Sequence, residues 1–485
     1  MSMWITAQVP GTPYIVPAYN LIQPTICTES NTQGMNFWVC FGNNYGMTAQ
    51  QVYLGLRISA ESASNITLFF NQTGQYAYYS VAANSVLSID LSNITGLGDR
   101  RSAVYLGAAS GTFNQTLHIT SDNPVSVYAF NTCTATTDAT IVLPVSAWGS
   151  DYYRLSYTPY NGYYDAEMII ANENNTLING TITLNMGQVY YLLSTSDMTG
   201  RHVTSNKPVA YFSHNTIAQV PTTRVAADIL FEQMMSVDRW GKKFLVPNAP
   251  EDNISENNHI RIIASAANTI VKYSGATWYG GVNIPSAGGT LNAGQWTELK
   301  ISGTYLNGSC YIEASEPVGV ASYMVGPNSE LTQAGDPSIA WIPPLNQSVR
   351  SAIISPFIFS FNSNMYTNLD QVTGNSVPQH YMIIIVPTDS KNQTSVLVGG
   401  ITYNLDGVSS LPSPNIPSAW VQNVDSDYSY YIWTFNTPLS VGVTGDLGKS
   451  FKITNPDGVI VLAGGIGHYE SYYYNAGSGT CIVNP

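Results

Sequence analysis

The chain has 485 residues, enough for roughly two to four ordinary domains or one large repeat assembly. Only 10% of its residues are charged, against ~25% in typical soluble proteins, and its formal net charge is −13. The basic residues form no cluster larger than a pair, which argues against binding to nucleic acid. The apolar runs at 382–386 and 459–467 are far too short to span a membrane, so we predict no membrane insertion.

The first 35 residues are rich in Pro, Thr and Asn, and we interpret them as an N-terminal arm. No basic segment followed by an apolar stretch opens the chain, so no secretory signal is predicted; a phage structural protein would need none. The cysteines are sparse, odd in number and never spaced as CxxC, which favours free thiols and predicts no zinc or redox site. They are Cys27, Cys40, Cys133, Cys310 and Cys481.

Beyond residue 36 a phrase recurs four times with variation. Each copy reads as an alternating strand, a polar turn ending in proline, and a second alternating strand. The copies centre on Pro124, Pro208, Pro317 and Pro438. These prolines lie 84, 109 and 121 residues apart, so the chain repeats one supersecondary unit. Such a repeat favours a scaffold that presents a surface over an enzyme.

A second recurring segment contains a Trp-Gly pair, at Trp148–Gly149 and again at Trp240–Gly241. A weaker copy runs from 336 to 357 and includes Trp341. The recurrence predicts a packing role, in which the indole seals each unit against the next and the glycine permits a tight turn. The alternative is that a surface tryptophan stacks on sugar rings.

Two all-β architectures fit these units. Their length is close to that of a β-sandwich of ~100 residues and long for a propeller blade of ~40–50 residues. No polar linker separates the units, however, and we therefore favour a propeller-like closed arrangement over tandem β-sandwiches. We divide the chain into the arm at 1–35, a repeated β domain at 36–330, and continuing β units with a Tyr- and Gly-rich tail at 331–485.

Paired carboxylates are the strongest sign of chemistry, because a glycosidase needs two of them. The candidates are Glu232 with Asp228, and Glu313 with Glu316. Glu232 lies inside the recurring Trp-Gly segment, where a structural contact is the expected role. We predict no catalytic residue, no metal and no cofactor.

Two histidines, His202 and His214, bracket the second proline turn. We expect them on strands that face each other. The equivalent places in other units hold Phe130 and Tyr311, so we interpret these positions as packing slots and not as metal ligands.

Several segments together carry a family resemblance. They read NFWVCFGNN (36–44), LRISAESASNITL (56–68), SDNPVSVYAFN (121–131), VTSNKPVAYFSHN (203–215), ILFEQMMSVDRWGKKFLVP (229–247) and NHIRIIASAANTIVKYSG (258–275). They resemble the amino-terminal region of IgG Fc-binding proteins, a mucus-associated family whose domain also occurs in surface proteins of gut Bacteroidetes and in proteins of their phages. The resemblance implies an extracellular, non-enzymatic adhesion or binding domain. It transfers no residue-level motif for antibody binding.

The chain departs from the secreted animal members, since it lacks both a signal sequence and their cysteine-rich modules. We therefore predict a non-catalytic structural and adhesion protein of a phage virion, as a head or tail fibre or a decoration component. Its expected partners are other virion or surface proteins, mucin glycans or host surface polysaccharide, and further copies of itself. The alternatives are a bacterial cell-surface or secreted adhesin, and a carbohydrate-active enzyme on a β-propeller.

Overall fold

The computed structural model describes residues 26–28, 30–133, 136–250, 257–304, 306–328, 335–355, 380–405, 419–435, 449–467 and 470–483. Within these ranges the chain forms β-strands that pair antiparallel, five short 3₁₀ turns and no α-helix. This confirms the predicted all-β class. The strands make four sheets of seven, eight, eight and eight strands.

The bounds of the strands and turns follow the chain. The first sheet contains β1 (Gly34–Val39), β2 (Tyr53–Ala60), β3 (Ser64–Phe70), β4 (Gln75–Val81), β5 (Ser85–Asp90), β7 (Leu117–Cys133) and β8 (Thr136–Val142). The second contains β6 (Gly111–Phe113), β9 (Gly149–Tyr153), β10 (Asp165–Ala171), β11 (Thr176–Ile178), β12 (Ile182–Leu184), β13 (Val189–Ser194), β14 (His202–Ala218) and β15 (Asp228–Gln233). The third contains β16 (Gly241–Pro247), β17 (His259–Ala264), β18 (Thr269–Ser274), β19 (Ala276–Gly281), β20 (Gly289–Leu291), β21 (Trp296–Ile301), β22 (Ser309–Met324) and β23 (Ser338–Trp341). The fourth contains β24 (Val349–Ile354), β25 (His380–Pro387), β26 (Ser395–Val398), β27 (Ile401–Asn404), β28 (Val421–Gln422), β29 (Tyr428–Phe435), β30 (Phe451–Gly467) and β31 (Glu470–Gly477). The 3₁₀ turns are Arg101–Ala103, Val145–Ala147, Val237–Arg239, Leu345–Gln347 and Thr388–Gln393.

One plan underlies all four sheets, which we call units 1 to 4. A long strand of 16 or 17 residues (β7, β14, β22 or β30) runs through each. Its first half pairs with the strand that opens the unit (β1, β9, β16, β24) and with a hairpin strand (β3, β11, β18, β26). Its second half pairs with β2, β10, β17 or β25 and with the last strand of the unit (β8, β15, β23, β31).

The two halves of a long strand differ in burial. In β14, exposed and buried residues alternate at the start, whereas every residue from Val209 to Ala218 is buried. A strand alternates when one of its faces meets water and is continuously buried when both faces are covered. The second halves therefore form the interior of the molecule, and the first halves line its outside.

The proline phrase is one continuous strand and not two strands about a turn, so that part of the prediction is wrong. In β14, Thr204 pairs with Asp151 but Val209 pairs with Gly149, so five residues on one side oppose two on the other. The same shift in pairing occurs in β7, β22 and β30. Because proline has no N–H to donate, it is tolerated at such a bulge, and Pro208 lies inside this one.

The fourth copy of the phrase was placed too early. The long strand of unit 4 is β30, and its shift in pairing lies between Thr454 and Val459. The segment predicted as the first half of the phrase instead forms β29, which pairs with β25 and β28 and not with β30. Pro438 lies outside the described residues. In the true copy, Gly458 (φ +108°) stands where the other units have their proline.

The last strands of the four units contact one another in a cycle: β8 with β15, β15 with β23, β23 with β31, and β31 with β8. Nearly every residue described in these strands is buried. The cycle is compatible with the propeller-like closed arrangement, although each unit is also large enough to stand as a curled sheet of its own.

The two ends of the chain meet beside unit 4. A disulfide joins Cys27 to Cys481, across 454 residues of sequence, so the prediction of free thiols is wrong for this pair. Next to it, the Thr32 N–H donates to the Ser478 carbonyl oxygen at 3.1 Å. The remaining cysteines are free and buried. Among the described residues no helix has the length and apolar character needed to cross a membrane.

Candidate binding surface

The first pair of candidate acids is buried at the centre of the molecule. Asp228 and Glu232 both lie on β15 and are fully buried. Glu232 Oε1 accepts the Trp341 N–H at 2.8 Å, and its Oε2 lies 2.6 Å from the Thr140 hydroxyl. Asp228 accepts the Thr137 N–H at 2.7 Å. These carboxyl groups therefore tie β15 to β8 and β23, which belong to neighbouring units.

A third buried acid, Asp138 on β8, was not singled out from the sequence. It accepts the Phe231 N–H of unit 2 at 2.9 Å. Burial raises the pKa of both Asp138 and Glu232 well above the usual values, although hydrogen bonds from backbone N–H groups pull in the opposite direction. These acids are structural links between strands.

No substrate-sized cleft opens onto these acids. A small cleft of about 150 Å³ lies where the chain ends meet, lined in part by Asn31, Val349 and Ser478. Ligand pockets typically measure ~300–1,000 Å³. No group of three or more metal-binding side chains occurs in the described part of the chain.

The second pair of candidate acids lies on the surface of β22. Glu313 forms an ion pair with Lys243 at 3.3 Å, and Glu316 forms one with Lys242 at 3.3 Å. Each carboxylate is about half exposed, and exposed pairs of this kind contribute little to stability. The geometry is that of two separate cross-strand pairs.

The two histidines do not face each other, contrary to expectation, because both lie on the single strand β14. His202 is exposed at its start, stacks on Tyr153 at 4.2 Å and lies 2.7 Å from Asp151 Oδ1. His214 is buried, with Nε2 at 2.9 Å from the Asn43 carbonyl oxygen, and burial lowers its pKa to about 4.

The two Trp-Gly tryptophans occupy equivalent places. Each directly follows a 3₁₀ turn and donates its indole N–H to a carbonyl oxygen five residues upstream: Trp148 to Leu143 at 3.1 Å and Trp240 to Met235 at 3.0 Å. Both are buried. After the third turn the same place is held by Ser348, so Trp341 on β23 is not the third member of the set.

The paired glycines lie in extended strand and do not adopt the left-handed conformation. A Cβ at Gly149 would lie 2.3 Å from Ser236 Oγ, and a Cβ at Gly241 would lie 2.4 Å from Pro344 Cβ. Ser236 and Pro344 each open the 3₁₀ turn that follows the next unit's last strand. Close approach between successive units, and not a tight turn, is the geometry that requires glycine here.

The surface feature that stands out is a row of aromatic rings on unit 1. Cross-strand pairing aligns Tyr76 on β4 with Phe69 on β3, Phe69 with His118 on β7, and His118 with Trp38 on β1. Tyr78 extends the row along β4. We call these five residues the aromatic row.

Ring contacts run along the whole row. Trp38 stacks on His118 with centroids 4.1 Å apart, and Phe69 contacts Tyr76 at 4.7 Å. Tyr76 and Tyr78 lie parallel, 6.5 Å apart. Exposure rises from 1% at Trp38 to 52% at Tyr76 and 71% at Tyr78. The row is therefore anchored in the core at one end and open to water at the other.

The hairpin that carries the exposed end is longer than its counterparts. β4 has seven residues, whereas the corresponding outer strands β12, β20 and β27 have three, three and four. Residues 64–81 contain no charged side chain. Edge strands are usually short or protected by charge, so a long, neutral edge that displays two tyrosines is typical of a binding surface.

Comparison with known proteins gives the family of the chain. A sequence model of the family described as IgGFc binding protein matches residues 138–463, about two thirds of the chain. The chain belongs to the IgGFc binding protein family. This confirms the resemblance seen in the sequence.

A curated member of the IgGFc binding protein family from Homo sapiens, the IgGFc-binding protein, is 24% identical over 348 residues. The aligned region is 67% of this chain but only 6% of the human protein. The similarity therefore concerns one region of a much longer relative.

Proposed function

We propose that this chain is a non-catalytic adhesion protein that binds neutral glycans of mucus or of a host surface through the exposed end of its aromatic row. The observation that carries the proposal is the parallel pair Tyr76 and Tyr78 on the long, uncharged hairpin of unit 1. Membership of a family named for binding supports a binding role over a catalytic one.

The chemistry of this face suits an uncharged sugar. A phenol ring offers a flat apolar surface to the C–H face of a pyranose. On the same hairpin, Thr67 pairs with Tyr78 and Asn65 pairs with Ser80, so hydroxyl and amide groups flank the rings. These groups both donate and accept hydrogen bonds, as sugar hydroxyls require.

The enzyme alternative gains no support from the acids. Glu232 and Asp228 are buried and bonded to neighbouring strands, and Glu313 and Glu316 pair with surface lysines. We therefore propose that the particle or cell carrying this protein uses it to adhere and not to degrade.

We propose further that the protein is displayed outside the reducing cytosol, as a structural component of a virion surface. The disulfide between Cys27 and Cys481 supports an oxidising location, since disulfides persist on virion and cell surfaces and are rare in the cytosol. Immunogold labelling of purified phage particles would support the virion placement, and labelling confined to bacterial envelopes would replace it with a cell-surface adhesin.

Binding to mucin O-glycans tests the proposed function. Replacing both tyrosines (Tyr76→Ser with Tyr78→Ser) should weaken binding to immobilised neutral mucin glycans about tenfold or more in biolayer interferometry, because two stacking contacts are lost. The matched control is Trp278→Ser, which removes a ring of 42% exposure from the edge strand β19 and should leave binding unchanged. Equal binding by the double variant would contradict the proposal.

A further inference from the structure

A second cluster of tyrosines lies on loops and not on a sheet. Tyr45 follows β1, and Tyr160 and Tyr163 lie between β9 and β10. Tyr45 and Tyr163 stack with centroids 5.5 Å apart and planes at 17°, and Tyr163 stacks on Tyr160 at 6.1 Å and 26°. We call these three residues the tyrosine ladder. Its outer rings, Tyr45 and Tyr160, are 42% and 43% exposed.

Buried residues hold the first rung in place. Asn43 and Asn44, which precede Tyr45, are both buried. The N–H groups of Asn43 and Asn44 donate to the hydroxyls of Tyr191 and Tyr105, at 3.2 and 2.8 Å. Tyr45 itself donates its N–H to the Thr216 carbonyl oxygen at 3.1 Å. A loop anchored in this way presents its side chain without a large loss of entropy on binding.

The backbone of Tyr45 is strained. Its φ is +52°, in the left-handed region that bulky side chains rarely adopt. The other residues with positive φ that are not glycine are all asparagine, which tolerates this conformation (Asn84, Asn175, Asn179 and Asn268). Strain of this kind persists where the surrounding structure enforces it, and it concentrates at ligand-binding positions.

The loops around the ladder have the composition of a protein-binding surface. Residues 41–48 and 157–164 contain no charged side chain and are built largely from Tyr, Asn, Gly and Thr. Rigid tyrosines with adaptable Asn and Gly on loops of a β scaffold are the residues that antibody-type surfaces use to bind proteins.

We propose that the tyrosine ladder binds an uncharged, proline-rich extended segment of another protein. A proline ring is apolar and has its φ already fixed, so it packs on a phenol ring with little loss of entropy. The polyproline II backbone makes no internal hydrogen bonds and leaves its carbonyl oxygens free for the tyrosine hydroxyls and Asn161. Neutral loops on a chain of net charge −13 disfavour acidic partners and give no specific attraction for basic ones.

The ladder differs from the aromatic row in the surface it offers. Tyr163 has a neighbouring ring on each side, so the ladder presents ring edges and hydroxyl groups in succession. Sugar stacking needs open ring faces, as at Tyr78, which is 71% exposed. A ridge of successive edges is the form of the aromatic grooves that receive proline-rich peptides.

Calorimetric titration with synthetic octaproline tests this inference, with an uncharged Gly-Ser octapeptide as the control ligand. The wild-type chain should bind octaproline and not the Gly-Ser peptide. Tyr45→Asn and Tyr160→Ser should each weaken octaproline binding at least tenfold. Tyr45→Asn should leave the melting temperature unchanged or raise it, since asparagine accepts the left-handed backbone that strains tyrosine.

The outcomes separate this site from the glycan site. The Tyr76 and Tyr78 double variant should bind octaproline as the wild type does. Failure of the wild type to bind octaproline, or equal binding by both ladder variants, would overturn the inference. Loss of mucin-glycan binding in Tyr45→Asn would overturn it as well, because the ladder would then be a sugar site.

Discussion

Glu232 shows how a side chain that looks catalytic in the sequence is structural in the fold. Its carboxyl group joins β15 to β8 and β23, each from a different unit. The Thr140 hydroxyl beside it also lies 3.1 Å from the Ile141 carbonyl oxygen. A protonated Glu232 can therefore donate to Thr140 while Thr140 donates onward, which fits a carboxyl whose pKa is raised by burial.

This arrangement predicts a pH-dependent stability. A carboxyl with a higher pKa in the folded chain than in the unfolded chain stabilises the fold most at low pH. That contribution falls as the pH rises above the unfolded value of about 4. Glu232→Gln, whose amide reproduces the protonated acid, should therefore show a smaller fall in melting temperature between pH 5 and pH 8, taken as about the working range. An identical fall in wild type and variant would contradict the structural role.

At the residue scale the sequence identified the right tryptophans but misjudged the histidines. Trp148 and Trp240 could be found because the pair recurs with its glycine. His202 and His214 could not be placed, since six residues on either side of a proline look the same in a hairpin and in a bulged strand. The outward face of β4 was equally hidden, because tyrosines occupy both of its faces (Tyr76 and Tyr78 on one, Tyr79 on the other).

At the element scale, the repeat was readable wherever proline marked the bulge. Three of the four long strands carry the proline directly before pairing resumes, as Pro124, Pro208 and Pro317 do. Unit 4 relaxes the same bulge with Gly458 and has its nearest proline two residues earlier. Either residue suits a position whose ladder bond is missing, so the element was conserved in geometry while its sequence marker changed.

The junction between units gives a prediction at this scale. In Gly149→Ala the added methyl would collide with Ser236 at the next 3₁₀ turn, and we expect a loss of about 1–3 kcal/mol in the free energy of unfolding. The matched control is Gly107→Ala, because a Cβ there meets nothing within 4 Å. Chemical denaturation of the two variants should separate them clearly. Equal midpoints would remove the packing role that we propose for the Trp-Gly pairs.

At the scale of the whole molecule, the chain ends complete the set of contacts between units. The disulfide between Cys27 and Cys481 could not be predicted from spacing, because only the fold brings residues 454 positions apart together. The pairing of Thr32 with Ser478 shows that the end of the predicted arm is part of the folded body. The all-β class and the closed succession of units were predictable from alternation and from the absence of linkers.

The disulfide should be measurable in solution. We expect the unfolded, unreduced protein to titrate three thiols, from Cys40, Cys133 and Cys310, and five after reduction. The double variant Cys27→Ser with Cys481→Ser should lose about 2–5 kcal/mol of stability. Reduced wild-type protein serves as its control and should match it. Five reactive thiols before reduction would disprove the closure.

The central claim is that this chain displays binding surfaces and carries no reactive centre. A crystal structure of the protein soaked with a neutral mucin-type oligosaccharide tests it most directly. We predict an intact sugar resting on Tyr76 and Tyr78, with Glu232 still enclosed between its neighbouring strands. A cleaved sugar, or a sugar bound against Glu232 and Asp228 in an opened centre, would contradict the account.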